Sequence, residues 1–569
     1  GYLIDSTRAE NLVKFLRGDA SQEVQNGGIF RNRFARLGDI VHSAPVFSHG
    51  ILYAGSNDGM LHAFNANSGV ELFAYVPNLV FDHLTGLAGT SYAHRYFVDL
   101  TPTVTDLKFD ASTKTLLVGG LGKGGRGYFA LDVTDMTQTN GVTSGVPSTE
   151  SDLAQKVLWE YPRTGTSDGD VADLGYSFSR PNIVRSNAAA AAAAAGIVIF
   201  GNGYDSSNGH AVLYILSADT GELLKKIDTG VATCNGLSPA ITVDVNYDNK
   251  VDYIYAGDLN GNLWKFDLTS TDYNQWDVAY KSAGTPKPLF KTPGQPITTK
   301  PNVMYHCKKH GYMVTFGTGR YLNEADLSDT SPQAVYGIWD YGDDLDDSEY
   351  VGTLAAGALT STGLPGTVSL LQQVVVDERT VNGMSLRIMA AQTADWKATT
   401  TAGGACGDNA GTQECDPNGS GAKPDPLRNV GWYLTLPSAR ERVVSDVIVR
   451  SGILTVVSHA PSNSLCGGGG ESWLMTLDAC SGSRLSKPFF DINGDGKIDT
   501  KDLENIGTAQ NPIMVVPSGI KYDGKVQPPT YLILPDGTEL LYMSSSKAKI
   551  ETQRERAAKL GMTYWRVRH

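Results

Sequence analysis

Two segments of the sequence share the frame D-x-N-x-D-x-x-x-D. One holds Asp244, Asn246, Asp248 and Asp252, the other Asp491, Asn493, Asp495 and Asp499. Calcium is a hard cation that takes about six to eight oxygen ligands, and oxygens at positions 1, 3 and 5 of a tight loop converge on one centre. Position 7 contributes its backbone carbonyl, so Lys250 and Lys497 are no obstacle there. The carboxylate at position 9, Asp252 or Asp499, closes the shell directly or through water. The second loop also has Gly496 at position 6 and Asp502 at position 12, which brings it closer to an EF-hand or dockerin loop. The first has Asn249 at position 6, a residue that tolerates left-handed geometry, and Tyr255 at position 12, which fits a nine-residue calcium loop. Calcium (Ca2+) is the expected cofactor of both. The alternative is a polar turn without metal, in which three unbalanced carboxylates repel one another.

A different chemistry is offered by Arg17-Gly18-Asp19, a tripeptide that reads as an integrin-type receptor motif. Matches of three residues arise readily by chance, and the adjacent Phe15 and Leu16 point to an element partly packed into the fold. The chain has no H-E-x-x-H and no phosphate loop. His306 and His310 stand at i, i+4 spacing beside a strand pattern with no acidic third ligand, and read as ordinary residues. The chain is therefore read as a binding protein and not an enzyme.

The six cysteines are Cys234, Cys307, Cys406, Cys415, Cys466 and Cys480. None has C-x-x-C spacing, which argues against zinc. Cys406 and Cys415 lie in an insertion rich in Gly, Asn and Asp, where a covalent staple helps most. Cys466 and Cys480 flank Gly467–Gly470 and one strand, as in a hairpin bridge. That leaves Cys234 and Cys307 as the remaining pair, with connectivity open and free thiols the alternative. Bridges imply an oxidising compartment.

These residues must be positioned by strands. Gly (63) and Pro (25) are plentiful, which suits many short strands and turns better than long helices. A unit of two apolar strands around a turn recurs seven times: Ile51–Gly55 with Met60–Phe64, Leu116–Gly120 with Gly127–Leu131, Ile197–Gly201 with Val212–Ile215, Tyr253–Gly257 with Asn262–Phe266, Met313–Gly317 with Tyr336–Trp339, and two weaker copies, Leu386–Ala390 with Trp432–Leu434 and Leu454–Ser458 with Trp473–Met475. The copies start about 55 to 80 residues apart, longer than common propeller repeats. Each alternates with period two and cannot bury both faces alone, whereas radial stacking buries them and leaves only short edges. Three copies run into one type of turn, Asn65–Gly69, Ser217–Gly221 and Asp478–Gly482. The predicted fold is all-β, a modified seven-bladed β-propeller with quinoprotein-like repeats, insertions and a few short helices; a pair of β-sandwiches is the alternative. The expected domains are a lead-in over 1–35, the propeller over 36–546 with a Cys-containing insertion at about 395–430, and a helical tail over 547–569. Helices are expected at Arg8–Arg17 and Lys547–Leu560, with a short turn at Leu322–Ser328. The alanine run Ala188–Ala195 carries no side-chain information.

The formal charge of −13 argues against nucleic acid as partner, because phosphate neutralisation needs clustered Lys and Arg. No apolar run reaches the roughly 18–20 residues of a membrane helix. The chain opens at Gly1 without a signal peptide, so a fragment of a larger exported protein is expected.

Several stretches together resemble the C-terminal propeller of the PilC/PilY family of type IV pilus tip-associated adhesins and biogenesis factors. They are Phe15–Asp19, Arg36–Pro45, Gly55–Phe64 continuing to Glu71–Pro77, Phe200–Asp205 and Asp252–Asp267. The likeness spans most of residues 10–340, thins near 395–430 and revives around 453–505. It implies an exported protein of the pilus or outer-membrane-associated cell surface, supporting pilus biogenesis, twitching motility and host-cell adhesion with calcium as regulator. Its partners would be pilus subunits or minor pilins, and a host integrin or other surface receptor. Two other readings stay open: a quinone-cofactor dehydrogenase, disfavoured because the chain has no adjacent cysteine pair, and a propeller scaffold without ligand regulation.

Overall fold

The repeat Ile197–Gly201 with Val212–Ile215 is apolar at nearly every position, as strands covered on both faces must be. In the structure, a computed structural model, the strands Ile197–Gly201 and Val212–Ser217 are buried throughout. They pair antiparallel from Ile197 opposite Ser217 to Gly201 opposite Leu213. Each fully buried aliphatic side chain of this kind contributes about 1.5–3 kcal/mol relative to exposure. The described residues are 6–557 apart from 109–111, 140–141, 164–167, 191–195, 343–349, 356–357, 361–367, 397, 401–421, 425–428 and 463–468.

Among the described residues, seven sheets have three or more strands. The molecule is mostly β with a few short helices, in the seven-bladed propeller arrangement that the repeats predict. Two compact units divide it. One gathers Gly1–Tyr253 and Asp267–Asp277, the other Ile254–Phe266 and Val278–Arg568. The first unit carries three sheets built on the first three repeats, the third extended by Lys250–Val251 running parallel to Arg185 and Ser186. In the second, Asn302–Tyr305, Tyr312–Gly317 and Ala334–Asp340 form one sheet with Asn429–Thr435, and in another Gly470–Asp478 stands between Ile453–Pro461 and Gly519–Asp523.

The repeated turn has a repeated lock. Gly221 and Gly482 take φ +65° and +71°, and a Cβ on either would collide with the ring of Trp159 or Trp432. The same two indoles donate Nε1–H to the turn carbonyls of Ala218 at 2.8 Å and Ala479 at 3.3 Å. Turn chemistry and blade packing are thereby one feature.

Helix α1 covers Ser6–Leu16, and Glu324–Leu327 is a 3₁₀ turn capped by Asn323, both where the sequence places them. Two expectations are corrected. Lys549–Arg556 is a strand paired with Thr538–Ser545, because Gln553 and Glu555 are buried with period two; residues 558–569 of the expected helical tail lie outside the described ones. The weaker copy Leu386–Ala390 with Trp432–Leu434 is not one unit, since Met384–Met389 joins Gly519–Asp523 while Asn429–Thr435 pairs with Ala334–Asp340.

The cysteine pairing is corrected too. Cys307 and Cys480 form a disulfide with Cα atoms 6.1 Å apart, and Cys234 is exposed and unbridged. This overturns both Cys466–Cys480 and Cys234–Cys307. The strand Asn302–Tyr305 lies beside Ile448–Arg450, so Cys307 reaches the Asp478–Gly482 turn through space and not along a hairpin. Cys406, Cys415 and Cys466 lie outside the described residues.

Candidate calcium loops and the Arg-Gly-Asp turn

The first loop leaves the strand Ile241–Val243 and returns as Lys250–Val251, closed at its base by Asp252 N–H donating to the Val243 carbonyl at 2.8 Å. Inside it the side chains fold back on the backbone. Asp244 accepts from the N–H groups of Tyr247 at 2.7 Å and Asn249 at 2.8 Å, Asn246 from Asp248 at 2.9 Å, and Asp248 from Lys250 at 2.9 Å.

The second loop repeats this pattern position for position. Asp491 accepts from Gly494 at 2.7 Å and Gly496 at 2.9 Å, Asn493 from Asp495 at 2.8 Å, and Asp495 from Lys497 at 2.9 Å. Positions 4 and 6 are left-handed in both: Gly494 and Gly496 at φ +73° and +80°, Tyr247 and Asn249 at +63° and +65°. For a non-glycine residue such a conformation costs about 1–3 kcal/mol and persists only where its surroundings impose it. Tyr247 bears that cost in order to keep the frame that glycine gives the second loop.

The buried acid differs between the loops. In the first it is Asp252 at position 9, 3% exposed, whose Oδ2 accepts from the position-2 N–H of Val245 at 2.8 Å. In the second it is Asp502 at position 12, 1% exposed, whose Oδ1 accepts from the position-2 N–H of Ile492 at 3.0 Å. Asp499, expected to close the second loop, instead caps the turn Thr500–Asp502 by accepting from Lys501 N–H at 2.8 Å. Burial pushes both inward carboxyls above the ordinary aspartate range, opposed by their hydrogen bonds, with Asp244 and Asp248 adding to the rise at Asp252 and Asp491 at Asp502.

All donors in both frames are oxygens, which suits a hard cation and not zinc or copper. Among the described residues no three His, Cys, Asp or Glu side chains form a converged metal-holding group. The loop carboxylates are spread over N–H donors, and Lys250 Nζ lies 3.2 Å from Asp248. The residue types and backbone frame fit a hard cation, and in the first loop Asp244, Asn246, Asp248, the Lys250 carbonyl and Asp252 are the residues that would hold it. Tyr255 is buried and donates its hydroxyl to Asp340 at 2.5 Å, so it belongs to the core.

Arg17-Gly18-Asp19 is the C-terminus of α1. Gly18, at φ +95°, donates to the Phe15 carbonyl at 2.9 Å and Asp19 N–H to that of Lys14 at 3.0 Å, a Schellman cap. Arg17 and Asp19 are exposed while Gly18 is buried. Arg17 pairs with Glu150, and the Asp19 carboxylate accepts from Ser21 N–H at 2.7 Å. His306 is packed between Trp339 and Trp396, its Nδ1 accepting from Lys309 N–H at 2.8 Å, and burial drives its pKa down to about 3. It is a core residue.

One neighbour of the first loop escapes sequence reasoning. Asn187 donates from Nδ2 to Asp252 Oδ1 at 3.0 Å, although it lies far upstream and belongs to no calcium-loop pattern.

Comparison with known proteins places these features. The profile of the PilY1 beta-propeller domain matches residues 42–380. The type IV pilus biogenesis factor PilY1 of Pseudomonas aeruginosa (strain UCBPP-PA14) is 33% identical over 560 residues, 87% of this chain and 43% of that protein. A PilY1 homolog of Xylella fastidiosa is 32% identical over 536 residues, 84% of this chain and 32% of that protein. The chain thus spans less than half the length of these relatives, which are named as biogenesis factors and not as enzymes. The crystal structure of the Pseudomonas aeruginosa PilY1 C-terminal domain aligns with a TM-score of 0.63 at 28% identity, covering 89% of this chain and 92% of that one. Among the described residues no helix is long and apolar enough to cross a membrane. On the match over residues 42–380, within a propeller built from these repeats, the chain belongs to the PilY1 beta-propeller domain family.

Proposed function

We propose that this chain is the propeller portion of a type IV pilus biogenesis factor whose Asp244–Asp252 loop binds calcium and tunes pilus extension and retraction. The observation that carries the reading is the shared frame. Two loops far apart in sequence adopt one hydrogen-bond pattern and one pair of left-handed positions, the first of them with Tyr247 where glycine is easier. With Ca2+ bound, two positive charges offset Asp244, Asp248 and Asp252; this chain's part is to hold those oxygens on a turn whose base is a strand end. The first loop lacks a position-12 acid and binds in the micromolar range or above, as open calcium sites do.

The whole protein then acts at the exported pilus or outer-membrane surface, with pilus subunits or minor pilins as partners, and supports twitching motility and adhesion. The Cys307–Cys480 disulfide supports export, because such bridges persist in oxidising compartments. Exposed Arg17 and Asp19 support a receptor contact at the end of α1.

Calcium titration of this chain by calorimetry tests the reading. Two binding events, with Asp244→Ala removing one and Asp491→Ala the other, are expected. Absence of heat up to millimolar calcium leaves a scaffold propeller.

A further inference from the structure

We infer that Asn187 is the positioning residue of the Asp244–Asp252 loop, holding Asp252 in place from the end of a neighbouring strand; the inference rests on the calcium reading above. A buried carboxylate needs donors for its oxygens. Asp252 receives one from within the loop, Val245 N–H at 2.8 Å on Oδ2, and one from outside it, Asn187 Nδ2–H at 3.0 Å on Oδ1. The same nitrogen donates to the Val251 carbonyl at 2.9 Å and lies 3.4 Å from the Leu268 carbonyl. Three acceptors around one end of the carboxamide admit only its NH₂ group there, so the orientation of the side chain is settled by its partners.

The location of Asn187 is fixed by a ladder. It follows the strand Asn182–Ser186, whose Arg185 and Ser186 pair in parallel with Lys250 and Val251, the residues directly before Asp252. Its chemistry also suits the task. A Lys or Arg here would satisfy Asp252 equally well but cancel the charge a divalent cation needs, whereas a neutral amide satisfies the oxygen and leaves the charge intact. The second loop has no such dependence. Both oxygens of Asp502 are satisfied from its own backbone, by Ile492 at 3.0 Å and Asp499 at 2.9 Å. The buried acid of the first loop is therefore coupled to the Asn182–Asn187 strand end, whereas that of the second is held from within its own loop.

The test uses the whole chain and the metal alone. In an Asp491→Ala/Asp495→Ala background that silences the second loop, calorimetry with calcium should give a Kd raised about 10- to 100-fold by Asn187→Ala, the usual effect of removing a residue that orients a metal ligand. Terbium luminescence supplies an independent readout, since Tyr247 lies inside the first loop and sensitises the ion there, while the matching position of the second is Gly494. Calcium binding by the second loop, measured in an Asp244→Ala background, should be unchanged by Asn187→Ala. In metal-free protein, amide exchange at Val245 should accelerate and that at Ile492 should not. If Asn187→Ala does not fold, Asn187→Ser carries the same test with a shorter donor. A Kd within twofold of the parent overturns the positioning role while leaving the calcium site standing. No binding by the parent overturns the calcium reading, and this inference with it.

Discussion

Gly18 shows how one residue can serve two readings. The sequence offers Arg17-Gly18-Asp19 as a recognition motif, and the structure gives Gly18 a sufficient reason of its own as the left-handed residue that ends α1. Both flanking side chains nonetheless reach solvent, so the receptor reading makes a sharp demand on Asp19. Asp19→Glu moves an exposed carboxylate by one methylene and disturbs only its bond to Ser21, a change worth no more than about 0.5 kcal/mol. Binding to purified integrin should be abolished with thermal stability nearly unchanged; equal binding by the variant leaves the tripeptide as a helix terminator. The two D-x-N-x-D turns are legible for the opposite reason. Asp244, Asn246 and Asp248 bond to amides two to five residues away, so spacing alone specifies the turn. Asn187 was invisible because its contact arises from a parallel pairing that no local pattern announces. The exchange of roles between Asp499 and Asp502 was hidden likewise, since spacing does not say which carboxylate is buried.

Elements were legible where each half of a repeat lies next to its partner in sequence, as in Ile51–Gly55 with Leu61–Asn65. They failed where an insertion separates the halves, as between Met384–Met389 and Asn429–Thr435, and where helix-favouring residues are held in a strand by tertiary pairing, as at Lys549–Arg556. That last strand carries its own test. Glu555, 2% exposed, stands directly opposite Glu539, and the guanidinium of Arg450 is spent bidentately on Glu539 at 2.7 Å for both bonds. Glu555 Oε2 has no hydrogen-bond partner, and Tyr522 and Tyr531 are the other titratable groups against it. Burial, reinforced by Glu539 and opposed by Arg450, raises its pKa from 4.5 to about 8. The folded chain therefore holds a proton there that the unfolded chain releases between those values, and stability falls as pH rises from about 4.5 to about 8, then levels. Glu555→Gln keeps the shape of the protonated acid without the titration. Denaturant unfolding should show the variant equal to the parent near pH 4.5 and more stable at pH 9, by at most roughly 5 kcal/mol. Parallel pH curves for the two proteins would remove the buried acid from the account.

At the scale of the whole molecule, the covalent and ionic links are what distinguish this propeller from a bare stack of sheets. The Cys307–Cys480 bridge closes a segment 173 residues long, and removing such a native bridge costs about 2–5 kcal/mol. Unreduced digests should yield a Cys307–Cys480 cross-linked peptide and an alkylatable Cys234, and Cys480→Ser should lower the unfolding midpoint accordingly; six free thiols would remove the bridge and its support for export. The loop proposed to bind calcium makes the larger claim, because Asp252 lies directly before the strand Tyr253–Gly257, so a change in the loop is passed to a strand end. Asp252→Ala removes a buried carboxylate and leaves Val245 N–H and Asn187 without their acceptor, at a cost of about 1–3 kcal/mol. It should abolish calcium binding at this loop and mimic the metal-free state. Asp252→Lys removes the same ligand but brings an ammonium towards Asp244 and Asp248, the pairing Lys250 Nζ already makes with Asp248, and should mimic the filled state. Introduced into the full-length protein, the two variants should lose calcium alike yet displace surface piliation and twitching motility in opposite directions. Identical piliation and motility in both, despite lost binding, would reduce the loop to a structural staple and leave pilus dynamics to other parts of the protein.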